Sequence, residues 1–139
     1  MKPEEIRRFL VALNQTWQQG ALDALAAYYH PDVVLLPPDL GPAIRGRDAV
    51  VASYREFLQA AQLERFEPTS LEVFSFPGSH GGSHVAHLNF EVDYTLAGER
   101  YLEKGLEVYA VQETDVGLQI IWRQQAVLDS RLAEKSESR

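Results

Sequence analysis

Three of the four histidines, His80, His84 and His87, have the residue type and close spacing that first suggest chemistry, since imidazole is a common zinc ligand. His84 and His87 are three residues apart in an alternating, strand-like stretch, so their side chains are expected on opposite faces of the strand. His80 lies in a Gly-rich loop, and no carboxylate is close enough in sequence to complete a tetrahedral ligand set. We therefore predict neither a metal site nor a cofactor.

Two glycine-containing segments share their composition with phosphate-binding loops. The segment 77–83 contains three glycines, but no helix begins after it, and a phosphate loop needs the N-terminus of a helix. The tripeptide Gly46-Arg47-Asp48 does open a helical pattern, and Asp48 already complements the positive end of that helix. We predict a turn in the first case and helix capping in the second.

The composition limits the class of protein. With 139 residues, 45% of them hydrophobic, the chain suits a single domain at 1–129 followed by a polar tail at 130–139. A net charge of -7 opposes phosphate binding, so nucleic acid is not an expected partner. The sequence shows no cysteine, no secretory signal and no long apolar run, which predicts a cytoplasmic protein that does not enter a membrane.

The N-terminal half is predicted to be mainly helical. Apolar residues at helical spacing, behind acidic residues in the first turn, predict a helix over residues 3–19. A shorter helix begins at Leu22 and ends before Pro31, because the residue before a proline avoids the helical region. The two helices are expected to form a hairpin. An apolar strand and a Pro-rich loop follow, and a third helix begins at Arg47.

After residue 62 the apolar period becomes alternating, which predicts four long strands joined by short turns. Their predicted bounds are 67–76, 84–96, 101–113 and 118–128. Strands of this length need twist and bulges in order to bend around helices. The predicted class is therefore α+β, with a curved antiparallel or mixed sheet wrapped around the helical hairpin and the third helix.

Strand alternation predicts which side chains face the interior. In the strand 84–96 the carboxylates Glu91 and Asp93 are expected outward, and the apolar face is expected to meet the helices. That inward face consists of Ala86, Leu88, Phe90, Val92 and Tyr94. The same rule places inward Leu118, Ile120, Trp122, Gln124 and Ala126 in the last strand, and Leu102, Lys104, Leu106, Val108, Ala110 and Gln112 in the strand before it. A single bulge in the strand 101–113 would exchange its faces. The predicted interior is apolar and nearly uncharged.

Three short segments carry a family resemblance: YHPD at 29–32, PPD at 37–39 and GRDAV at 46–50. Together with the order of elements, they make the chain resemble the nuclear transport factor 2-like superfamily, in its SnoaL-like and ketosteroid-isomerase-related part. The resemblance covers nearly the whole chain. It implies a cone-shaped fold with a pocket inside the cone.

The resemblance also implies candidate catalytic residues. Relatives that isomerise ketosteroids or cyclise polyketides use a carboxylate or a histidine to move a proton next to a carbonyl, while a phenol or an acid stabilises the enolate. On that pattern Asp39 and His84 are the candidate proton shuttles, and Tyr54 or Tyr94 is the candidate hydrogen-bond donor. Asp39 also fits an ordinary turn in which its side chain bonds local backbone.

Large aromatic residues with polar tips are typical of small-molecule sites, and they are equally typical of cores. The candidate ligand-binding residues are Trp17, Tyr54, Tyr94, Lys104, Trp122 and Gln124, for an apolar small molecule of unknown identity.

A second copy of the chain is the expected partner. Several apolar residues are expected on the outward, solvent-exposed face of the sheet. Such a face favours closed two-fold pairing, which predicts a homodimer packed sheet against sheet. We expect Arg123 to pair with a carboxylate such as Glu107. The predicted dimer surface consists of Glu107, Tyr109, Val111, Ile121, Arg123 and Val127.

Three functions remain open at this point. The first is a small-molecule-binding domain with an apolar pocket and no catalytic step. The second is a SnoaL-like isomerase, cyclase or lyase that uses one carboxylate or histidine as a proton shuttle, and the third is a dimerisation module without a ligand. An apolar cavity without titratable groups favours the first, a cavity holding a carboxylate or imidazole favours the second, and a packed interior favours the third.

Overall fold

The computed structural model describes residues 3–39, 41–76 and 82–133. The elements are α1 (Pro3–Gln18), α2 (Leu22–Leu25), a 3-10 turn (Ala26–Tyr28), β1 (Tyr29–Leu36), β2 (Ile44–Arg45), α3 (Arg47–Ala60), β3 (Ala61–Phe76), β4 (Ser83–Leu96), β5 (Glu99–Thr114) and β6 (Gly117–Leu132). The predicted α+β class is confirmed. The metal candidate His80 lies outside the described residues. None of the described helices has the length and apolar character needed to cross a membrane.

Within the described residues, six strands form one mixed sheet in the order β2-β1-β6-β5-β4-β3. β1 runs parallel to β6, and every other neighbouring pair is antiparallel. The parallel pairing lays the chain after α2 directly against the last strand. It thereby brings Tyr29 close to Arg123, 94 residues away in sequence.

The boundary between α2 and β1 differs from the prediction. The helix closes after a single turn at Leu25, and Tyr29 already belongs to β1 instead of the helix. The strand then continues through Pro31, which has no N–H to donate to a neighbouring strand. The register with β6 shifts between Tyr29 and Val34, so the proline lies where the ladder is interrupted.

The core lies between the helices and the inner face of the sheet. Apolar residues of α1 at helical spacing are almost completely buried there, as are the side chains that β1, β4, β5 and β6 turn towards them. The most deeply buried large side chains are Tyr29, Tyr109, Ile6, Leu10, Leu13, Leu25, Leu88, Ile120, Val33, Val50 and Val111.

The alternation predicted for β4 is confirmed. Ala86, Leu88 and Val92 are buried, and Phe90 and Tyr94 line an internal cavity. Asp93 lies on the opposite face, where the guanidinium of Arg100 covers it with two hydrogen bonds of 2.9 and 2.6 Å.

β5 faces the opposite way from the prediction. Leu88 pairs with Glu107 and Ala86 pairs with Tyr109, and directly opposed residues of neighbouring strands share a face. Glu107 and Tyr109 are accordingly buried, whereas Lys104 is exposed on the outer face. Because both faces of β5 carry mixed residues, its own sequence does not show which one is buried.

β6 changes face at a bulge. Val111 pairs with Ile120 and Ala110 pairs with Trp122, so Ile121 is the extra residue. Ile120 is buried as predicted. Past the bulge the alternation reverses, which turns Arg123 inward and Trp122 outward.

Four of the six residues predicted for the dimer surface are therefore placed wrongly. Glu107, Tyr109, Val111 and Arg123 are buried inside the protomer. Ile121 and Val127 are exposed, by 36% and 47%. The homodimer itself stays a prediction.

Candidate functional site

A cavity of about 250 Å³ lies between α1, α3 and the inner face of the sheet. Its walls are mainly apolar, with a few polar side chains among them. Pro38 and Val127 line it and are exposed, which places its opening beside them. The full lining is Trp17, Leu35, Pro38, Ile44, Ser53, Tyr54, Phe57, Phe66, Phe90, Val92, Tyr94, Glu103, Glu107, Arg123, Gln125, Ala126 and Val127.

Aromatic rings in mutual contact form much of the cavity wall. Trp17, at the end of the apolar stripe of α1, has its ring centroid 5.8 Å from that of Tyr54, 6.4 Å from that of Phe57 and 5.2 Å from that of Phe66. Phe66 continues the contact to Phe90 at 4.9 Å. Such tilted and edge-on pairs are the favoured aromatic arrangements, so these rings support one another as a continuous wall.

A buried ion pair forms one polar part of the lining. The guanidinium of Arg123 donates from Nε to Oε2 of Glu107 at 2.5 Å and from Nη2 to Oε1 at 2.7 Å, and both residues are about 95% buried or more. Gln125 adds an amide hydrogen bond to Oε1 of Glu107 at 2.9 Å. Burial alone would lower the pKa of Arg123, but the Glu107 carboxylate and two nearby tyrosines raise it well above its ordinary value. Arg123 is therefore permanently cationic.

Two tyrosine hydroxyls stand beside that pair. The hydroxyl oxygens of Tyr29 and Tyr54 are 2.6 Å apart, and Nη1 of Arg123 donates to the Tyr29 oxygen at 3.4 Å. Burial raises the pKa of both phenols, more so for Tyr54, although Arg123 acts in the opposite direction on each. Both hydroxyls therefore keep their protons near neutral pH.

The two hydroxyls share one hydrogen bond, and either oxygen can donate in it. Only one of the two hydroxyl hydrogens is used in this contact, and both residues are buried. When Tyr29 donates, the Tyr54 hydrogen has no acceptor among the described residues, and Tyr54 lines the cavity whereas Tyr29 does not.

Other donors that line the cavity are already engaged. The indole N–H of Trp17 donates to Oδ1 of Asn14 at 2.9 Å, and the Ser53 hydroxyl donates to the Val50 carbonyl at 2.6 Å. Tyr54 is thus the lining hydroxyl that can donate to a bound molecule, in the arrangement in which Tyr29 donates to it. The charge of Arg123, 4.8 Å from the centre of the Tyr54 ring, also strengthens Tyr54 as a donor.

A second polar group lines the cavity on β4 and β5. The Tyr94 hydroxyl donates to Oε2 of Glu103 at 2.6 Å, and the Ser130 hydroxyl donates to the same oxygen at 2.8 Å. Burial and then the Glu103 carboxylate raise the pKa of Tyr94, so its hydroxyl remains a donor. The prediction of a nearly uncharged interior is therefore wrong, because Glu103, Glu107 and Arg123 all line the cavity.

The six candidate ligand-binding residues divide into two groups. Trp17, Tyr54 and Tyr94 line the cavity. The other three, Lys104, Trp122 and Gln124, were predicted inward and instead lie on the outer face of the sheet, as the register of β5 and the bulge in β6 dictate.

The two candidate proton shuttles lie outside the cavity lining. Asp39 is exposed, and its Oδ1 accepts a hydrogen bond from the Gly41 amide at 2.8 Å, which is the turn geometry considered above. His84 is buried, with Nδ1 2.8 Å from the Ser75 hydroxyl and Nε2 3.1 Å from Oε2 of Glu113. Among the described residues, no group of three or more metal-ligating side chains is placed to hold an ion.

Four polar lining residues were missed by the alternation rule: Glu103, Glu107, Arg123 and Gln125. The signal that finds them is the pairing of β4 with β5 and of β5 with β6. Once the inward face of β4 is known, the residues opposite it, Glu103 and Glu107, must be inward too. Gln125 lies opposite Glu107, and Arg123 lies opposite Tyr109, so both follow from the next pairing.

A model of the SnoaL-like domain family matches residues 6–116. The chain belongs to the SnoaL-like domain family. No curated protein matches the chain. The family match spans most of the elements that build the cavity, although Arg123 and Gln125 lie beyond it.

Solved structures of low sequence identity share this SnoaL-like fold. An NTF2-like protein from Cytophaga hutchinsonii is 14% identical, with a TM-score of 0.75 over 92% of this chain and 100% of that one. A ketosteroid isomerase-like protein from Erwinia carotovora atroseptica is 17% identical, with a TM-score of 0.73 over 89% and 94%. ActVI-ORFA from Streptomyces coelicolor is also 17% identical, with a TM-score of 0.71 over 90% and 96%. These likenesses establish the NTF2-like fold alone.

Proposed function

We propose that this SnoaL-like domain binds a small molecule with an apolar ring body and a hydrogen-bond acceptor such as a carbonyl oxygen. The observation that carries the proposal is the Tyr54 hydroxyl at the wall of an otherwise largely apolar cavity, which can donate to a ligand when Tyr29 donates to it. A few placed polar groups in an apolar cleft are what fixes the orientation of a small ligand.

The size of the cavity supports a compact ligand. Its volume of about 250 Å³ is slightly below the roughly 300–1,000 Å³ of sites for drug-sized ligands. A molecule of one or two rings therefore suits it. The aromatic wall around Trp17 offers such rings favourable stacking and edge contacts.

Two ligands of the same shape test the role of Tyr54. Acetophenone carries a carbonyl where α-methylstyrene carries a methylene group, so the two differ in the acceptor and hardly in volume. Tyr54→Phe should weaken acetophenone binding about fivefold, the equivalent of one hydrogen bond of about 1 kcal/mol, and should leave α-methylstyrene unaffected. Ligand-observed NMR titration measures both affinities.

Tyr28→Phe is the matched control, because the Tyr28 hydroxyl is near Thr16, at 3.4 Å, and does not line the cavity. It should leave both affinities unchanged. Equal weakening of both ligands by Tyr54→Phe would show that loss of the hydroxyl disturbs the cavity as a whole and that the hydroxyl forms no hydrogen bond with the carbonyl. Failure of both ligands to bind the unmodified protein would remove the proposal itself.

A second candidate function is proton transfer next to a carbonyl group. The observation in its favour is that the Glu103 carboxylate lines the same cavity as the Tyr54 donor. Glu103 would take a proton from the carbon next to the carbonyl while Tyr54 hydrogen-bonds the oxygen on which charge develops. Glu103 thereby takes the role first considered for Asp39 and His84. The name of the ketosteroid isomerase-like protein that shares the fold agrees with this candidate.

Deuterium incorporation tests this second function without knowledge of the natural substrate. The ketone 2-tetralone is incubated with the protein in D2O, and loss of its α-proton NMR signals is followed. We expect the unmodified protein to exchange these protons faster than buffer alone does. This faster exchange should disappear in Glu103→Gln and persist in Glu72→Gln. Glu72 is an exposed carboxylate of β3 outside the cavity lining. Exchange that survives Glu103→Gln would rule out Glu103 as the base.

A further inference from the structure

The cavity carries an uncompensated negative charge. Its charged lining residues are Glu103, Glu107 and Arg123, and the last two neutralise each other through two hydrogen bonds. Within the part of the chain that the structure describes, Glu103 forms no ion pair with a cationic side chain. Glu103 also borders a second, smaller cleft with Arg65, Lys104 and Arg131, and the carboxylate charge that no ion pair takes up can act on the contents of the cavity.

One oxygen of that carboxylate is also unused. The hydroxyls of Tyr94 and Ser130 both donate to Oε2 of Glu103. Oε1 accepts no hydrogen bond from residues 3–39, 41–76 or 82–133. Two neutral donors on a single oxygen hold the side chain in place, while the other oxygen stays available.

Aromatic faces surround the same space. Tyr94, which holds Glu103, has its ring centroid 5.5 Å from that of Phe57, and Phe57 contacts Trp17 in turn. Rings of this kind attract cations through their negative faces, and they attract most strongly where water is excluded. A carboxylate beside several aromatic rings is suited to a substituted ammonium group, whose methyl or methylene groups also contact the rings.

We infer that the ligand of this cavity is an organic cation, an apolar body bearing a substituted ammonium group that Glu103 and the aromatic wall recognise. The inference rests on the proposed binding function and specifies its ligand class. The acceptor that meets Tyr54 and the ammonium group that meets Glu103 belong to the same molecule. An anionic ligand is disfavoured, because Arg123 is already paired and Glu103 would repel it.

A pair of ligands that differ in charge tests the inference. Phenyltrimethylammonium and tert-butylbenzene have the same number of heavy atoms and almost the same shape. Glu103→Gln should weaken phenyltrimethylammonium binding roughly tenfold and leave tert-butylbenzene binding within about twofold, since the amide keeps an acceptor but not the charge. Added salt should weaken binding of the cation to the unmodified protein and have much less effect on the Glu103→Gln variant.

Glu72→Gln supplies the matched control, because it changes the net charge by the same amount away from the cavity. It should leave both affinities unchanged. If Glu103→Gln weakens both ligands equally, or if only tert-butylbenzene binds, the inference is overturned while the binding function stands. If neither ligand binds, both fall.

Discussion

Replacing Arg123 with methionine is expected to lower the free energy of unfolding by about 3–5 kcal/mol, the usual cost of removing one partner of a buried ion pair. Glu107 is 3% exposed and accepts two hydrogen bonds from Arg123, at 2.5 and 2.7 Å. After the replacement it would keep the amide of Gln125, at 2.9 Å, as its remaining donor. Methionine suits the test because its unbranched apolar side chain fills the space with little strain.

The double variant separates the charge from the packing. Glu107→Met alone should cost a similar amount, because Arg123 would be left buried without its counter-ion. The variant that carries both replacements has no unpaired charge. Its loss of stability should therefore be far smaller than the sum of the two single-variant losses. A coupling energy of at least about 3 kcal/mol is expected from the cycle.

Urea unfolding followed by circular dichroism at pH 7.5 measures the free energy of unfolding of the unmodified protein, the two single variants and the double variant. A single-variant loss below about 1 kcal/mol, or a double variant whose loss equals the sum of the singles, would refute the reasoning that this pair is buried and coupled.

Three further outcomes are expected. Gly105→Ala should lower the free energy of unfolding by about 1–3 kcal/mol and weaken acetophenone binding. The added β-carbon would lie 2.8 Å from two ring carbons of Phe90, so the Phe90 ring would have to move into the cavity. Unchanged melting and titration curves would contradict this prediction. Arg100 holds the pKa of Asp93 below its ordinary value, so the stability contributed by that carboxylate is present above about pH 4 and is lost as the pH falls through the folded pKa. Asp93→Asn should therefore lower the free energy of unfolding by less than about 1 kcal/mol at pH 7, because Arg100 is partly exposed. In urea titrations it should also flatten the decline of stability at acid pH. An unaltered acid profile of stability would count against this prediction. The predicted homodimer should dissociate in Trp122→Glu, because Trp122 is 36% exposed on the outer sheet face. Light scattering measures the molar mass in solution. If it finds the unmodified protein monomeric at micromolar concentration, the dimer is excluded.

The order of elements and the inward face of β4 could be predicted because the local signals are strong. Apolar residues at helical spacing define α1 and α3, and Ala86, Leu88, Phe90, Val92 and Tyr94 alternate without interruption against polar neighbours. Any other register would expose that whole set of side chains. The buried apolar residues and the cavity-lining residues of β4 are therefore the ones predicted.

The contents of the cavity could not be predicted in the same way. β5 presents Tyr109 and Val111 on one face and Leu106 and Val108 on the other, so hydrophobicity alone does not separate the inside from the outside. The bulge at Ile121 then reverses β6 partway along its length. These two uncertainties concern the very residues that supply the charged lining, and simple alternation for that reason predicts them on the outer face.

The prediction that Arg123 would pair with Glu107 nevertheless holds, at a different place from the one expected. The pair is internal and takes part in the hydrogen-bond network of Tyr29 and Tyr54. Opposite charges on adjacent strands signal an attraction, but they do not signal on which face of the sheet it occurs.

The parallel contact between β1 and β6 also determines when the binding site can exist during synthesis. Tyr29 is synthesised before Arg123 and Gln125, which belong to the last strand of the sheet. A contact that closes 94 residues of chain carries an entropic cost and forms late. A nascent chain that lacks β6 accordingly has an open edge beside β5 and lacks the Arg123 donor to the Tyr29 hydroxyl, so recognition of a ligand has to await synthesis of β6.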